Sequence, residues 1–369
     1  MIIRVCTFTR QGEEKARQLF ENWQEMIPQY REGGAFLGQW TGECFQRHLP
    51  ILFVGASGIA VRAIAPYVKD KLSDGAVLVM DEKGEFVIPL LSGHMGGANE
   101  LAERIANRIG ATPVITTATD VEGLFSVDVF AKKNGLRIVN REGIRRVSAK
   151  LLSGETVTIT WEEEIEAAEP RESEGASENA SKGSLPSGLR YVPYDESYAD
   201  VRIVTEAGYQ ALCENAKNAA CGSDQTKGDA QAILLVAKDY ALGIGCKKGK
   251  TFEELQTFLE KVFQSEALPM DWERICGIAS IDLKAREEGL WGLAQFYHLP
   301  FQTYSAEQLQ AVEGDFTKSE FVRDVTGVDN VCERAALCMA GSVGELVTKK
   351  TAENGMTAAI AKRKIRLEF

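Results

Sequence analysis

The chain has 369 residues, 44% of them hydrophobic and 26% charged, which suits a globular protein of two or three domains whose core needs no covalent staple. Its formal charge of −11 and the lack of a dominant basic stripe argue against nucleic acid as the main partner. The eight cysteines include no CxxC pair, so neither a structural zinc site nor a disulfide framework is expected, and reduced, mostly buried thiols are.

Met1 to Arg10 has no basic start, long apolar stretch or cleavage site, and no apolar run nears the ~18 residues of a spanning helix. A cytoplasmic protein with no membrane contact is expected. Over residues 1–130, strand and helix signals alternate. Ile2 to Phe8 and Leu49 to Val54 are strand-like, and the second leads into GASG at 55–58. Ala76 to Asp81 and Phe86 to Leu91 flank a hairpin turn at Glu82-Lys83-Gly84. From Ala98 the stripe Leu101, Ala102, Ile105, Ala106, Ile109 predicts a helix that stops at Gly110. Pro113 to Thr119 predicts another strand. This alternation implies a layered α/β domain with a largely parallel sheet.

Residues 131–236 form a smaller α/β middle region, with strands over Val157–Trp161, Arg190–Pro193, Val201–Val204 and Ile233–Val236. Within it, residues 161–188 carry eight Glu against Arg171 and Lys182. That composition buries too little apolar surface to offset its ordering entropy, so a disordered insertion is expected. Asn215 to Asp229 reads as a second flexible connection. Residues 237–369 form another α/β domain, with strands at Ala241–Cys246 and Ile275–Ala279 and helices over about Asp282–Tyr297 and Asn330–Ala340. Thr251/Glu254 and Ser305/Gln308 have capping-box spacing. Asn354-Gly355 between two apolar runs signals a hairpin.

Four segments have the residues to carry chemistry. SGHMGGAN, 92–99, joins a strand to an amphipathic helix. Gly96 and Gly97 permit a tight turn whose free N–H groups suit a carboxylate or phosphate. His94 titrates near neutrality and is suited to moving protons, while Ser92 and Asn99 are placed to hold a polar ligand. A Gly-rich connection whose His only hydrogen-bonds backbone fits the same residues. GASGIAVR, 55–62, repeats the pattern with Ser57, Gly58 and Arg62, but it lacks the GK[ST] ending of a P-loop and the GxGxxG spacing of a dinucleotide site. On local evidence it is a tight turn with a solvated Arg. TTATD, 116–120, puts Thr116, Thr117 and Asp120 at a strand end, where α/β sheets collect ligands, although a capping role for Asp120 is the commoner reading. GIGCKKGK, 243–250, places Lys247 and Lys248 beside permissive glycines, as an acidic ligand or merely a solvated loop would have it. Cys246 has no nearby His in sequence and is a weak nucleophile candidate. His48 and His298, flanked by apolar residues, are expected to pack.

The wording of these segments goes further than their composition. GIAVRAIAPYVKDKLSDGAVLVMDEKGEFVIPLLSGHMGGANELAERIA followed by PVITTATD resembles the amino-terminal region of the cobalt-precorrin-5A hydrolase (CbiG) family. GIGCKKGK, SIDLKAREEGL and GVDNVCERAAL resemble its carboxy-terminal domain. The likeness spans roughly residues 50–125 and 240–365. This chain has Gly75 and Thr348 where the family often has Pro.

The resemblance implies a hydrolase of anaerobic cobalamin synthesis that opens the ring-A δ-lactone of a cobalt corrinoid and releases acetaldehyde. The substrate carries the cobalt, so no protein-bound metal or other cofactor is implied. His94 is the implied acid/base, with Asp120 to orient it. Gly96, Gly97 and Asn99 would face an oxyanion or carboxylate. Arg62, Lys247 and Lys248 would meet the peripheral acetates and propionates, with Ser57, Gly58, Ser92, Thr116 and Thr117 as further contacts. Homo-oligomerisation is left open. The rival readings are a non-catalytic corrinoid carrier and, from the 55–58 turn, a nucleotide-dependent enzyme.

Overall fold

The computed structural model describes residues 1–70, 74–117, 122–167, 185–194, 198–219, 232–265 and 271–369. They divide into two units, the first comprising Met1–Thr117, Ala241–Trp272 and Gly277–Ala361, the second Ala118–Tyr240, Glu273–Cys276 and Lys362–Phe369.

The first unit contains two sheets. One has strands β1 (Ile2–Thr7), β2 (Ile27–Tyr30), β3 (Ile51–Val54), β4 (Val77–Met80), β5 (Phe86–Leu91) and β6 (Thr112–Pro113), in the order β2-β1-β3-β4-β5-β6. Strands β1 to β4 are mutually parallel, β5 runs antiparallel to β4, and β6 is parallel to β5. The reversal comes from the expected hairpin turn. Asp81 accepts hydrogen bonds from the N–H groups of Lys83, Glu85 and Phe86, and Gly84 takes φ +72°. Helices α1 (Arg10–Phe20), α2 (Leu37–Gln46), α3 (Ser57–Ile64) and α4 (Ala98–Ile109) cover the sheet. Alternate strand residues face opposite layers: Leu52 and Val54 pack with Leu19, Leu101 and Ile105, whereas Ile51 and Phe53 pack with Trp40, Cys44 and Ala60. The expected strand over Pro113–Thr119 is cut to Thr112–Pro113, with one further bond from Val114 N–H to the Val87 carbonyl. The next ladder donor would be residue 89, a proline without N–H.

The second sheet of this unit has β13 (Tyr240–Cys246), β14 (Ile275–Ile281), β15 (Phe301–Tyr304), β16 (Glu345–Glu353) and β17 (Met356–Lys362), in the order β15-β14-β13-β17-β16. Asn354 and Gly355 both take positive φ, +50° and +76°, and close the expected hairpin. Its helices are α8 (Phe252–Ser265), α9 (Glu288–Phe296), α10 (Ala306–Gln310), α11 (Glu320–Thr326) and α12 (Cys332–Ala340). Both expected capping boxes form, at Thr251/Glu254 and Ser305/Gln308. The helix expected over 282–297 is broken into a 3₁₀ turn, Asp282–Lys284, and α9. Gly243 and Gly245 lie inside β13, within the strand expected over Ala241–Cys246. A Cβ on Gly243 would sit 1.9 Å from the Cys332 carbonyl oxygen, so this glycine lets α12 lie directly on the strand.

The second unit holds β7 (Leu136–Ile138), β8 (Val157–Trp161), β10 (Leu189–Tyr191), β11 (Val201–Val204) and β12 (Ile233–Ala237), in the order β10-β8-β11-β12-β7, parallel except for β7. Helices α5 (Val127–Lys133), α6 (Glu142–Leu152) and α7 (Glu206–Ala219) accompany it, and β9 (Glu166–Ala167) pairs with β18 (Arg366–Leu367). Helix α7 takes up the start of the segment expected to be a flexible connection over 215–229. The rest of that segment from residue 220, and residues 168–184 of the acidic insertion, lie outside the described residues.

Candidate functional site

The turn after β5 is where the local chemistry concentrates. Ser92 takes φ +58° and Gly97 φ +80°, which folds the chain back so that α4 starts beside the strand it follows. The turn's own carbonyls absorb most of its donors: Gly97 N–H donates to His94 O at 3.0 Å, Ala98 N–H to Ser92 O at 3.1 Å and Asn99 N–H to Gly93 O at 3.0 Å. Gly97 N–H, expected to face a ligand, is therefore committed within the turn. Gly96 N–H makes no such backbone bond among the described residues.

Packing explains why residue 96 is glycine. A Cβ there would sit 2.4 Å from Ser92 Cβ and 2.8 Å from Ser92 O. Ser92 is 8% exposed, and its hydroxyl oxygen has no hydrogen-bond partner among the described residues. Asn99 Nδ2 donates to Thr117 Oγ1 at 3.1 Å, which ties the helix start to the segment after β6. The structure thus gathers Ser92, Gly96, Asn99 and Thr117, with half-buried His94 in the same turn, while Thr116 is exposed. Asp120, the expected partner of His94, lies outside the described residues.

The 55–58 turn does not join them. Strand register aligns Arg4, Ile51, Val77 and Leu91 across one end of the sheet, and aligns Val54, Met80 and Val87 across the other. The 92–99 turn leaves the first end and the 55–58 turn leaves the second, roughly 10 Å or more away at about 3.3 Å per residue. Ser57 and Gly58 are exposed, and Arg62 donates from Nη1 back to the Gly58 carbonyl at 3.0 Å. The antiparallel β4–β5 hairpin keeps Ser57, Gly58 and Arg62 apart from the residues gathered at the 92–99 turn.

The end of the sheet that carries the 92–99 turn also borders a cleft of about 560 Å³. Ile2 and Leu49, at the amino ends of β1 and β3, form part of its floor, and the loop after β13 forms a wall. Here the two expected lysines part. Lys248 lines the cleft. Lys247 does not, and its stem lies 2.8 Å from where a Cβ on Gly355 would stand, at the hairpin turn. Glu287, in the extended residue before α9, holds the loop by accepting from Gly249 N–H at 2.5 Å and from Lys284 Nζ at 2.9 Å. Burial pushes the Cys246 thiol up to about 11, the opposite of the lowering that activates a nucleophilic thiol. His48 and His298 pack edge to face, ring centroids 4.8 Å apart.

Reading the residues one by one missed Glu333. It is fully buried and accepts hydrogen bonds from Thr317 N–H and hydroxyl, Asn330 Nδ2 and Lys350 N–H, all at 2.7–2.9 Å. Four donors offset the desolvation of its carboxylate. The Asn330-x-x-Glu333 spacing, a capping-box signature, was its available signal. Among the described residues, no group of three or more metal-ligating side chains converges, and no helix is long and apolar enough to cross a membrane.

The fold and these features define an α/β protein with a Gly-rich helix-terminal turn and a cation-bearing cleft at one end of a mixed sheet. Family models place it further. Residues 39–120 match the cobalamin synthesis G N-terminal model, residues 125–206 the cobalamin biosynthesis central region, and residues 240–361 the cobalamin synthesis G C-terminus. The chain belongs to the cobalamin synthesis G family. It is 35% identical to a cobalt-precorrin-5A hydrolase of Salmonella typhimurium over 86% of this chain and 83% of that one. It is 31% identical to the cobalt-precorrin-5A hydrolase of Priestia megaterium over 96% and 94%. Protein CobE of Sinorhizobium matches 32% of this chain at 31% identity, over 77% of its own length. The chain is a hydrolase of cobalamin synthesis.

Proposed function

We propose that the chain hydrolyses the ring-A δ-lactone of cobalt-precorrin-5A and releases acetaldehyde, giving cobalt-precorrin-5B. The observation that carries this reading is the 92–99 turn, which holds His94 and a Gly96 N–H with no backbone partner among the described residues, in a segment matched to the family's N-terminal model. The names of the Salmonella typhimurium and Priestia megaterium relatives support the substrate.

Lactone opening adds water to the ring carbonyl. A base must take a proton from that water, and a donor must meet the oxygen on which charge collects. His94 serves as the base, and Gly96 N–H serves the oxyanion. Collapse expels the alkoxide, which takes the proton back from His94 and leaves a free acetate and an alcohol on the meso carbon. In the second step His94 removes the alcohol proton. The oxygen lone pair forms the carbonyl of acetaldehyde while the carbon–carbon bond breaks, and its electron pair passes into the macrocycle of the substrate, which then takes up a proton. The cobalt enters and leaves with the corrin.

The test is anaerobic incubation of the protein with cobalt-precorrin-5A, with acetaldehyde quantified by trapping. One aldehyde per substrate consumed is expected. Tight binding of the corrinoid with no aldehyde above background would replace this reading with that of a carrier.

A further inference from the structure

We infer that the 560 Å³ cleft is a carboxylate-binding subsite for the rim of the corrin, with Lys248 and Arg286 as its contacts and Glu287 as the residue that positions the Lys248 loop. This rests on the proposed substrate and adds to it the part of the chain that reads its acetate and propionate groups.

The argument is a charge balance. Four cations line the cleft: Arg47, Lys248, Lys250 and Arg286. Arg47 is paired with Glu253 at 3.2 Å and Lys250 with Glu254 at 2.6 Å. Lys248 and Arg286 have no ion pair among the described residues. The three carboxylates on the wall are all engaged. Glu253 is held by Arg47, Glu287 by Lys284 and Gly249 N–H, and Glu288 by Gln29 Nε2 at 3.0 Å. Lys248 and Arg286 against the one carboxylate that no cation pairs, Glu288, leave the cleft with one net positive charge for an incoming anion, in a chain whose net charge of −11 repels anions at long range. Polyanion binding must then come from local cations, and these two share one cleft.

The rest of the cleft fits the same ligand class. Ile2, Leu49, Phe252 and Phe296 supply apolar surface beneath the cationic rim. A ligand with an apolar ring body and carboxylates at its edge satisfies both. The wall is also pre-formed. A Cβ on Gly289 would sit 2.1 Å from the Lys250 carbonyl oxygen, so the start of α9, next to Arg286, seats directly against the lysine loop. Glu287 clamps that loop through Gly249, which takes φ +83°. Pre-organisation of this kind lowers the ordering cost of binding.

The test is a titration of the whole protein with two cobalt corrins, read by their visible absorbance. One bears free acetate and propionate groups, and the other has them amidated. Arg286→Gln and Lys248→Gln should each weaken binding of the carboxylated corrin roughly tenfold at low salt, as expected for loss of a charge-assisted contact. The deficit should shrink as salt screens the parent, and the amidated corrin should bind parent and variants alike. Lys83→Gln, the same charge change at the β4–β5 turn, should leave affinity unchanged. Glu287→Leu should weaken only the carboxylated corrin, while Glu287→Gln, which keeps an acceptor for Gly249 N–H, should restore it. A doubly substituted Lys248→Gln/Arg286→Gln protein that binds the carboxylated corrin as tightly as the parent overturns the subsite, even if the parent releases acetaldehyde. Salt-dependent loss of binding in a parent that releases no aldehyde upholds the subsite and sinks the hydrolytic reading.

Discussion

The turns at 55–58 and 92–99 use the same materials, glycine, serine and the start of a helix, in one sheet. They differ in what surrounds them. The first opens α3 with Ser57 and Gly58 exposed, and its Arg62 bonds back to its own helix. The second encloses Ser92, seats Asn99 against Thr117 and stands at the sheet end that borders the cleft. One antiparallel hairpin separates them. Gly-rich strand-to-helix turns are anion-friendly by composition, but strand direction decides which of them share a site.

His94→Asn breaks the comparison most sharply. It should lower single-turnover acetaldehyde release by ~10²–10⁴-fold, the worth of a positioned acid/base group. Ser57→Ala in the other turn should change the rate by less than about twofold, as surface substitutions usually do. Equal losses would mean that both turns face the reacting carbon, and parent-like turnover in a folded His94→Asn protein would falsify the catalytic role.

Added methyl groups compare the packing of the two turns. Gly96→Ala drives a Cβ to 2.4 Å from Ser92 Cβ, and denaturant melts should show a loss of about 1–3 kcal/mol. At Gly58 the nearest atom to a new Cβ is Arg62 Nη1 at 3.3 Å, the end of an exposed side chain. Gly58→Ala should therefore stabilise α3 by about 0.5 kcal/mol from helix propensity. Destabilisation of similar size at both sites would show that the first turn is as tightly enclosed as the second.

Two polar substitutions give the smallest contrast. Thr117→Val removes the acceptor of Asn99 Nδ2 and should cost about 1 kcal/mol. Arg62→Gln should stay within about 0.5 kcal/mol. A Thr117→Val protein that melts like the parent would mean that the Asn99 amide does not depend on this bond.

Local chemistry made several elements legible. Helix α4 reads directly from its apolar stripe and its stop at Gly110, which takes φ +71°. The Asn354-Gly355 hairpin and both capping boxes follow from turn and cap preferences that act within a few residues. Strand β2 was hidden because it contains Pro28 and only Ile27 in it is buried, as an edge strand allows. The packing role of Gly243 was not legible because nothing near it in sequence shows that α12, some ninety residues later, lies on its backbone.

By itself the sequence determined several tight turns, where α4 stops and where α8 and α10 are capped, and, through resemblance, the family. Each of those rests on residues adjacent in the chain or on the wording of a motif. Only the tertiary structure decided that the 92–99 and 55–58 turns leave opposite ends of the sheet, and that Lys248 but not Lys247 faces the cleft. Strand pairing direction is set by contacts between segments, and two adjacent lysines have the same local chemistry. Their fates diverge because Glu287 holds the loop from one side while the Gly355 turn receives Lys247 on the other.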